Sequence, residues 1–258
     1  SVYRRVAALE GKSGAAVHAC EAEELTGFFA AFSSGDRTRS FLKVQDGCDY
    51  RCSYCTIPLA RGASRNMPIA DLVAEAEAIA RSGQREIVLT GVNTGDFGRT
   101  TGESFLDLLR ALDGVEGIDR YRISSIEPNL LTDEIIAFTA SSRRFQPHFH
   151  IPIQSGCDRI LALMRRRYNT ARFAERIAAV RRAMPDVFLG IDVIVGFPGE
   201  TEEDFACTCD FLERIAPAFL HVFPYSVRPG TPAAELPGRV PPEVAERRAS
   251  RLGGLSQR

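Results

Sequence analysis

The sequence predicts an α/β fold built as a partial (β/α)6 barrel of the TIM type, and three observations carry that reading. From Phe41 onward, short apolar runs alternate with amphipathic helical stretches, the pattern of βα units on a parallel sheet. Six such units follow one another, short of the eight of a closed barrel. A chain of 258 residues with a hydrophobic fraction of 45% has the size and composition of one α/β domain.

Each element has its own signal. The first strand is expected at 41–44. A helix over 69–82 has Pro68 at its start and Gly83 past its end. The second strand is 86–90. A helix over 104–112 lines up Phe105, Leu108, Leu109 and Leu112 on one face. The third strand is 121–125. Thr132 caps a helix through 140, with Asp133 and Glu134 at its positive end. The fourth strand is expected at 148–153, with a helix over 157–164 after it. The next helix runs over 170–184 and is stopped by Pro185. The fifth strand, 188–195, is the richest in β-branched residues. Thr201 and Asp204 make a capping-box-like start to a helix over 201–215. The sixth strand is 219–225, and the tail from Pro237 is Pro-rich, then helical. Residues 2–9 read as a short helix and 33–36 as a turn. The chain thus divides into a lead-in segment 1–38, a core 39–236 and a helical tail 237–258.

The loop after the first strand carries Cys48, Cys52 and Cys55 in a C-x3-C-x2-C run. Three thiolates on one short loop can hold three irons of a cubane 4Fe-4S cluster and leave the fourth without a protein ligand. An open iron can chelate a small molecule and pass it an electron. A zinc site would usually pair C-x2-C with a second such pair, and none exists. Seven cysteines, an odd and sparse set, do not make a disulfide framework. Cys20, Cys157, Cys207 and Cys209 read as ordinary thiols.

Composition alone does not point to a nucleic-acid or membrane partner. The net charge of −1 gives no overall attraction to nucleic acid. Arginine clusters occur at Arg143-Arg144, Arg165-Arg166-Arg167, Arg181-Arg182 and Arg247-Arg248; for those on helical stretches, such as Arg181-Arg182, a solvated face is the ordinary explanation. No run of eighteen apolar residues would span a membrane, and no leader of secretory type opens the chain. A low-potential cluster belongs in a reducing compartment, the cytoplasm. The start at Ser1 and the end inside a helix-like run imply one domain of a longer protein.

In βα barrels the chemistry sits at the C-terminal ends of the strands, where the cysteine loop lies. Other strand ends carry loop-forming or polar residues. Gly91 after the second strand allows close backbone approach. Gln154 and Ser155 after the fourth can hydrogen-bond hydroxyls. Arg166, further along that unit, can pair with a carboxylate. Gly196 opens the Gly196-Phe197-Pro198-Gly199-Glu200-Thr201 turn after the fifth, and Arg228-Pro229-Gly230-Thr231 follows the sixth.

The cysteine spacing, with aromatic Tyr54 before Cys55, resembles that of the radical S-adenosylmethionine enzymes. Further strings are similar to the methylthiotransferases of that superfamily: Phe41 to Cys48, Tyr54-Cys55-Thr56-Ile57-Pro58, His150-Ile151-Pro152-Ile153-Gln154-Ser155-Gly156, and the two turns above. The similarity runs over about 17–255. The stretches Arg37 to Asp46, Gly91 to Gly98 and Ser124-Ser125-Ile126-Glu127-Pro128 resemble the branch that adds a 2-methylthio group to N6-threonylcarbamoyladenosine beside the tRNA anticodon. Sibling branches act on isopentenyladenosine in tRNA or on an aspartate of a ribosomal protein. A non-catalytic iron–sulfur or RNA-binding module is the alternative of another class.

The resemblance implies a site and partners. Cys48, Cys52 and Cys55 would ligate the cluster, whose open iron binds S-adenosyl-L-methionine. Tyr54 and the backbone near Ile57 would flank the adenine, and Gly196 would pack near it. Carbonyls around Gly91 would hold the methionyl amino group. Gln154 and Ser155 would face the ribose, and Arg166 the carboxylate. It also implies tRNA as partner, an electron donor such as flavodoxin or ferredoxin, and a sulfur donor of unknown identity. Family members carry an N-terminal domain with a second 4Fe-4S cluster and a C-terminal RNA-binding barrel of the TRAM type. This sequence matches neither, and Cys157 stands where the family usually has Ser.

Overall fold

A computed structural model describes residues 24, 27–28, 32–33 and 38–255. The helix expected at 2–9 lies outside the described residues, as does most of the expected turn at 33–36. Six parallel strands pair in chain order: β1 Ser40–Lys43, β2 Glu86–Thr90, β3 Arg120–Ile123, β4 Phe145–His150, β5 Phe188–Val195 and β6 Phe219–Pro224. Among the described residues the six-strand order ends at β1 and β6, with one antiparallel bridge from Phe32 to Leu42 beyond β1, so the sheet does not close into a complete barrel.

Helices connect successive strands: α1 Ile57–Arg61 and α2 Ile69–Arg81, α3 Phe105–Asp113, α4 Asp133–Ser141, α5 Asp158–Leu163 and α6 Thr170–Ala183, then α7 Glu202–Ile215. A last helix, α8 Pro242–Leu255, follows β6. Right-handed crossovers in this order put the helices on one face of the sheet. Leu42, Leu89, Ile123, Phe149, Leu189, Ile191 and Val193 point into that layer and form one core with Leu72, Leu108, Ile135, Phe173 and Leu212 of the helices. Side chains at alternate positions, among them Arg122, His150, Asp192 and His221, face the inner side of the barrel.

The caps expected at Thr132 and Thr201 are present, and Ser104 supplies a further one. Ser104 accepts the Asp107 N–H, and Thr132 accepts that of Ile135. Thr201 and Asp204 close a full capping box on α7. The fourth strand, Phe145–His150, lies three residues earlier than the expected 148–153 and ends just before the apolar run at Ile151-Pro152-Ile153. Pro147 accounts for part of the shift. It has no N–H to give a ladder, and the β3–β4 register slips between Tyr121↔Phe145 and Ile123↔Phe149 to bulge it out. The sequence reading also passed over α1 and two 3-10 turns, Thr94–Asp96 and Pro232–Glu235, all too short for a periodic signal.

Candidate functional site

The cysteine loop is strapped to the segment that returns from α1. Asp46 and Arg65 exchange backbone hydrogen bonds of 3.0 and 2.8 Å, and Cys48 N–H donates to the Gly62 carbonyl at 3.1 Å. Gly47 has φ +69°, and a Cβ there would come within 2.0 Å of the Ala63 carbonyl oxygen. Only glycine fits that crossing. Burial favours a neutral Asp46. The Gly47 N–H and then Lys43, Arg65 and Arg61 outweigh it and hold the carboxyl below its usual range.

Each cysteine sulfur has one N–H aimed at it. Tyr50 N–H lies 3.4 Å from Cys48 Sγ, and Ile57 N–H lies 3.5 Å from Cys55 Sγ. Arg166 Nη1 lies 3.0 Å from Cys52 Sγ. Cys48 and Cys52 are buried and Cys55 is half-buried. Burial pushes the Cys48 thiol up to about 11 and raises that of Cys52. A metal bound here would take the place of the thiol protons, with the N–H groups already in place for the thiolate charge. Among the described residues, the group whose ligand atoms all lie within 4.8 Å is His150, Asp192 and His221, not the cysteine trio. Three spread thiolates on one loop fit an iron–sulfur cubane better than one tetrahedral ion.

The other strand ends converge on this loop. Val92 and Leu130 pack against Cys48, Tyr50 and Cys52. Tyr54 meets Phe197 edge-on at 6.4 Å, and Phe197 meets Tyr225 at 5.4 Å. Gln154 sits in the left-handed region at φ 72°. Its N–H donates to the Asp192 carbonyl and its carbonyl accepts the Ile194 N–H, so the flanking strand holds it there. A non-glycine residue in that region is strained, and such strain clusters at functional positions.

Several expected residues have other neighbours in the structure. Ser155 is fully buried. Its hydroxyl lies 3.3 Å from Thr208 Oγ1 and accepts the Cys157 N–H, turned to α7 rather than to the mouth. Gly196, at φ +74°, backs on α8, where a Cβ would lie 2.6 Å from Ala245 Cβ. It lines a cavity of about 450 Å³ with Pro198, Tyr225, Val240 and Ala245. Gly91 leaves room for Gln45, whose Oε1 would lie 3.0 Å from a Cβ at that position. Arg166 is 3% exposed and already engaged by the carboxylate of Glu127. Tyr168 and Tyr54 hydroxyls complete its surroundings at 2.9 and 3.2 Å.

Sequence reasoning missed Gln45, Glu127 and Tyr168. Gln45 Oε1 accepts the Val92 and Asn93 N–H groups, while its Nε2 donates to the Asp46 and Gly47 carbonyls and to Ser64 Oγ. One amide thereby joins the loops after β1 and β2. Glu127 lies in the Ser124-Ser125-Ile126-Glu127-Pro128 stretch after the third strand, and an acidic residue at a strand end was the available signal. Cys157 caps α5 with its Sγ 3.2 Å from Asp204 Oδ1, away from the trio.

Residues 42–212, which run from within β1 through β5 and hold the cysteine loop, match the model of the Radical SAM superfamily. The chain belongs to that superfamily. It is 45% identical over 223 residues to the threonylcarbamoyladenosine tRNA methylthiotransferase MtaB of Bacillus subtilis, covering 86% of this chain and 49% of the relative. It is 43% identical over 218 residues to a tRNA-2-methylthio-N(6)-dimethylallyladenosine synthase of Parafrankia sp., covering 84% of this chain and 44% of the relative. The chain thus spans about half the length of these relatives. Among solved structures it resembles the radical S-adenosylmethionine methyltransferase TsrM of Kitasatospora setae, with TM-score 0.65 at 18% identity over 75% of this chain and 38% of that one. It also resembles coproporphyrinogen III oxidase of Escherichia coli, with TM-score 0.58 at 17% identity over 84% and 52% of the two chains. At these identities the structural likeness speaks for the fold. Among the described residues no helix is long and apolar enough to cross a membrane.

Proposed function

We propose that this chain is the radical core of a tRNA methylthiotransferase that adds a 2-methylthio group to N6-threonylcarbamoyladenosine. The observation that carries the reading is the trio Cys48, Cys52 and Cys55, each sulfur met by an N–H donor, on the loop after the first strand of an open barrel. The similarity to MtaB supports the substrate, and the Parafrankia relative makes dimethylallyladenosine the competing one. When bound, a 4Fe-4S cluster and S-adenosyl-L-methionine supply one-electron cleavage of a carbon–sulfur bond, and hence a radical able to take hydrogen from an unreactive C–H bond.

The chain's own residues prepare that chemistry. Gly47 and the Asp46–Arg65 strap fix the loop, and Gln45 ties it to the Gly91 turn. Tyr54 and the Ile57 backbone wall the site beside Cys55, with Phe197 behind Tyr54. Gln154, held in its strained conformation, presents its amide to a ribose. Arg166 offers the positive charge for a carboxylate, in competition with Glu127. A flavodoxin or ferredoxin is the reductant of matching class, and the cytoplasm is the matching compartment.

Two measurements test this. Cys48→Ala, Cys52→Ala and Cys55→Ala should each abolish reductive cleavage of S-adenosyl-L-methionine; cleavage surviving in any of them sinks the cluster assignment. The gene carrying this sequence should be expressed in a host without methylthiotransferases, and the tRNA nucleosides analysed by mass spectrometry. A methylthio gain on threonylcarbamoyladenosine is expected. A gain on dimethylallyladenosine keeps the chemistry and overturns the substrate.

A further inference from the structure

The inner wall of the barrel carries a second constellation that the cysteine chemistry does not use. His150 on β4, Asp192 on β5 and His221 on β6 bring their ligand-capable atoms within 4.8 Å of one another. Three successive strands supply them, so backbone pairing sets their spacing. Asp192 is directly opposite His221, and His150 is opposite Gly190. Gly190 contributes no side chain to the space beside His150, where a Cβ would stand 3.4 Å from the ring. His150 Nε2 lies 2.7 Å from Asp192 Oδ1. The other ring nitrogen, Nδ1, lies 3.0 Å from Ser125 Oγ. An outer partner that fixes the ring from behind is the usual companion of a metal-ligating histidine. Side-chain exposure is 20% for both His150 and Asp192, and His221 is exposed, so the group opens to the inner side of the barrel.

We propose that His150, Asp192 and His221 bind a divalent transition-metal ion, with Ser125 orienting His150. Two imidazoles and one carboxylate are a donor set for Zn2+ or Fe2+. Ligand bonds of about 2.0–2.2 Å bring donors to within roughly 4 Å of one another, so small side-chain rotations close the observed spacing around an ion. Three ligands from one wall leave coordination positions open toward the lumen, for water or an anionic oxygen or sulfur ligand. The site shares no residue with the cysteine trio, and the proposal stands or falls apart from the methylthiotransferase reading.

The test uses the full chain with its iron–sulfur cluster reconstituted, so that the trio is occupied. Calorimetric titration with Zn2+ should show one equivalent bound. His221→Ala and Asp192→Asn should each abolish that binding. Ser125→Ala should weaken it by about tenfold or more. His221 is exposed, so its loss leaves the core intact, and circular dichroism checks the fold of all three variants. X-ray absorption at the cobalt edge of the Co2+-loaded wild type should show nitrogen and oxygen neighbours only. Wild-type protein that binds no Zn2+, variants that bind it as well as wild type, or a sulfur shell around cobalt would each overturn the proposal.

Discussion

Arg166 holds its Nη1 3.0 Å from the sulfur of Cys52 while Nη2 grips the carboxylate of Glu127. The guanidinium therefore links Cys52, a proposed cluster ligand, to a buried acid on the loop after β3. Hydrogen bonds and positive charge near a ligand sulfur raise the potential of an iron–sulfur cluster. Replacing Arg166 with Gln should shift the midpoint of the reconstituted cluster to a more negative value, followed by electron paramagnetic resonance during a redox titration. An unchanged midpoint would restrict Arg166 to a packing role.

The same pair has a stability consequence. Side-chain exposure is 3% for Arg166 and 11% for Glu127. Removing the cation alone strands a buried carboxylate, at a cost of about 3–5 kcal/mol. Arg166→Met should lose that much by urea denaturation of the cluster-free protein. The double variant with Glu127→Gln should recover a large part of it. Equal losses in the single and double variants would show that the two side chains do not share one interaction.

A loop defect is also expected at Gln45, which bonds no sulfur itself but holds the Gly47 carbonyl beside Cys48. Its amide satisfies the Val92 and Asn93 N–H groups and the Gly47 carbonyl, and adds a second donor to the Asp46 carbonyl that Arg65 already meets. Gln45→Ala takes the Gln45 partner from the Val92 and Asn93 N–H groups and from the Gly47 carbonyl, each worth roughly 1–3 kcal/mol when buried and unmet. The chain should retain its helical circular dichroism but hold less iron after reconstitution. Gly91→Ala should act in the same direction, because a Cβ there presses on Gln45 Oε1 and on the Gln45 carbonyl. Full iron content in both variants would remove Gln45 from the assembly of the site.

The fold was legible wherever burial repeats with a fixed period. β2 and β5 match their expected bounds because 86–90 and 188–195 are apolar runs between clear breakers. β4 was misplaced because Ile151 and Ile153 are buried without being in the strand, while Gln146 and His148 are in it with polar inner faces. The cysteines were legible because their spacing is itself the chemistry. Gln45 and Glu127 were not, since their partners lie 47 and 39 residues away and no local pattern marks such a pairing. Ser155 shows the opposite error. Its position at a strand end suggested the mouth, but the chain turns at Gln154 and carries the next side chain to α7.

That turn can be tested. Gln154 pays for its φ of 72° in backbone strain, of order 1–2 kcal/mol for a non-glycine residue. Gln154→Gly should hold or raise the unfolding free energy, since the relief of strain opposes glycine's added chain entropy. It should also weaken S-adenosyl-L-methionine binding by equilibrium dialysis, since the side chain is gone. A clear loss of stability with unchanged binding would assign Gln154 to the fold rather than to the ligand.

Asp204 gives the pH dependence. Its carboxyl accepts hydrogen bonds from Arg159, Thr201 and Cys157, and Arg159 first, against the effect of burial, holds it well below the usual carboxylate range. The folded value is thus below the unfolded one, near 3.9. Its contribution is fully present above the unfolded value and fades as the pH falls through that value toward the folded one. Arg159 is half exposed, so salt screens its share, whereas the capping bonds to Thr201 persist. Asp204→Asn should therefore lower stability at neutral pH, and the gap from wild type should narrow below about pH 4. Urea denaturation at stepped pH measures both limbs. A gap that stays constant down to pH 3 would mean that the Asp204 charge does not support the start of α7, and that shape alone caps the helix.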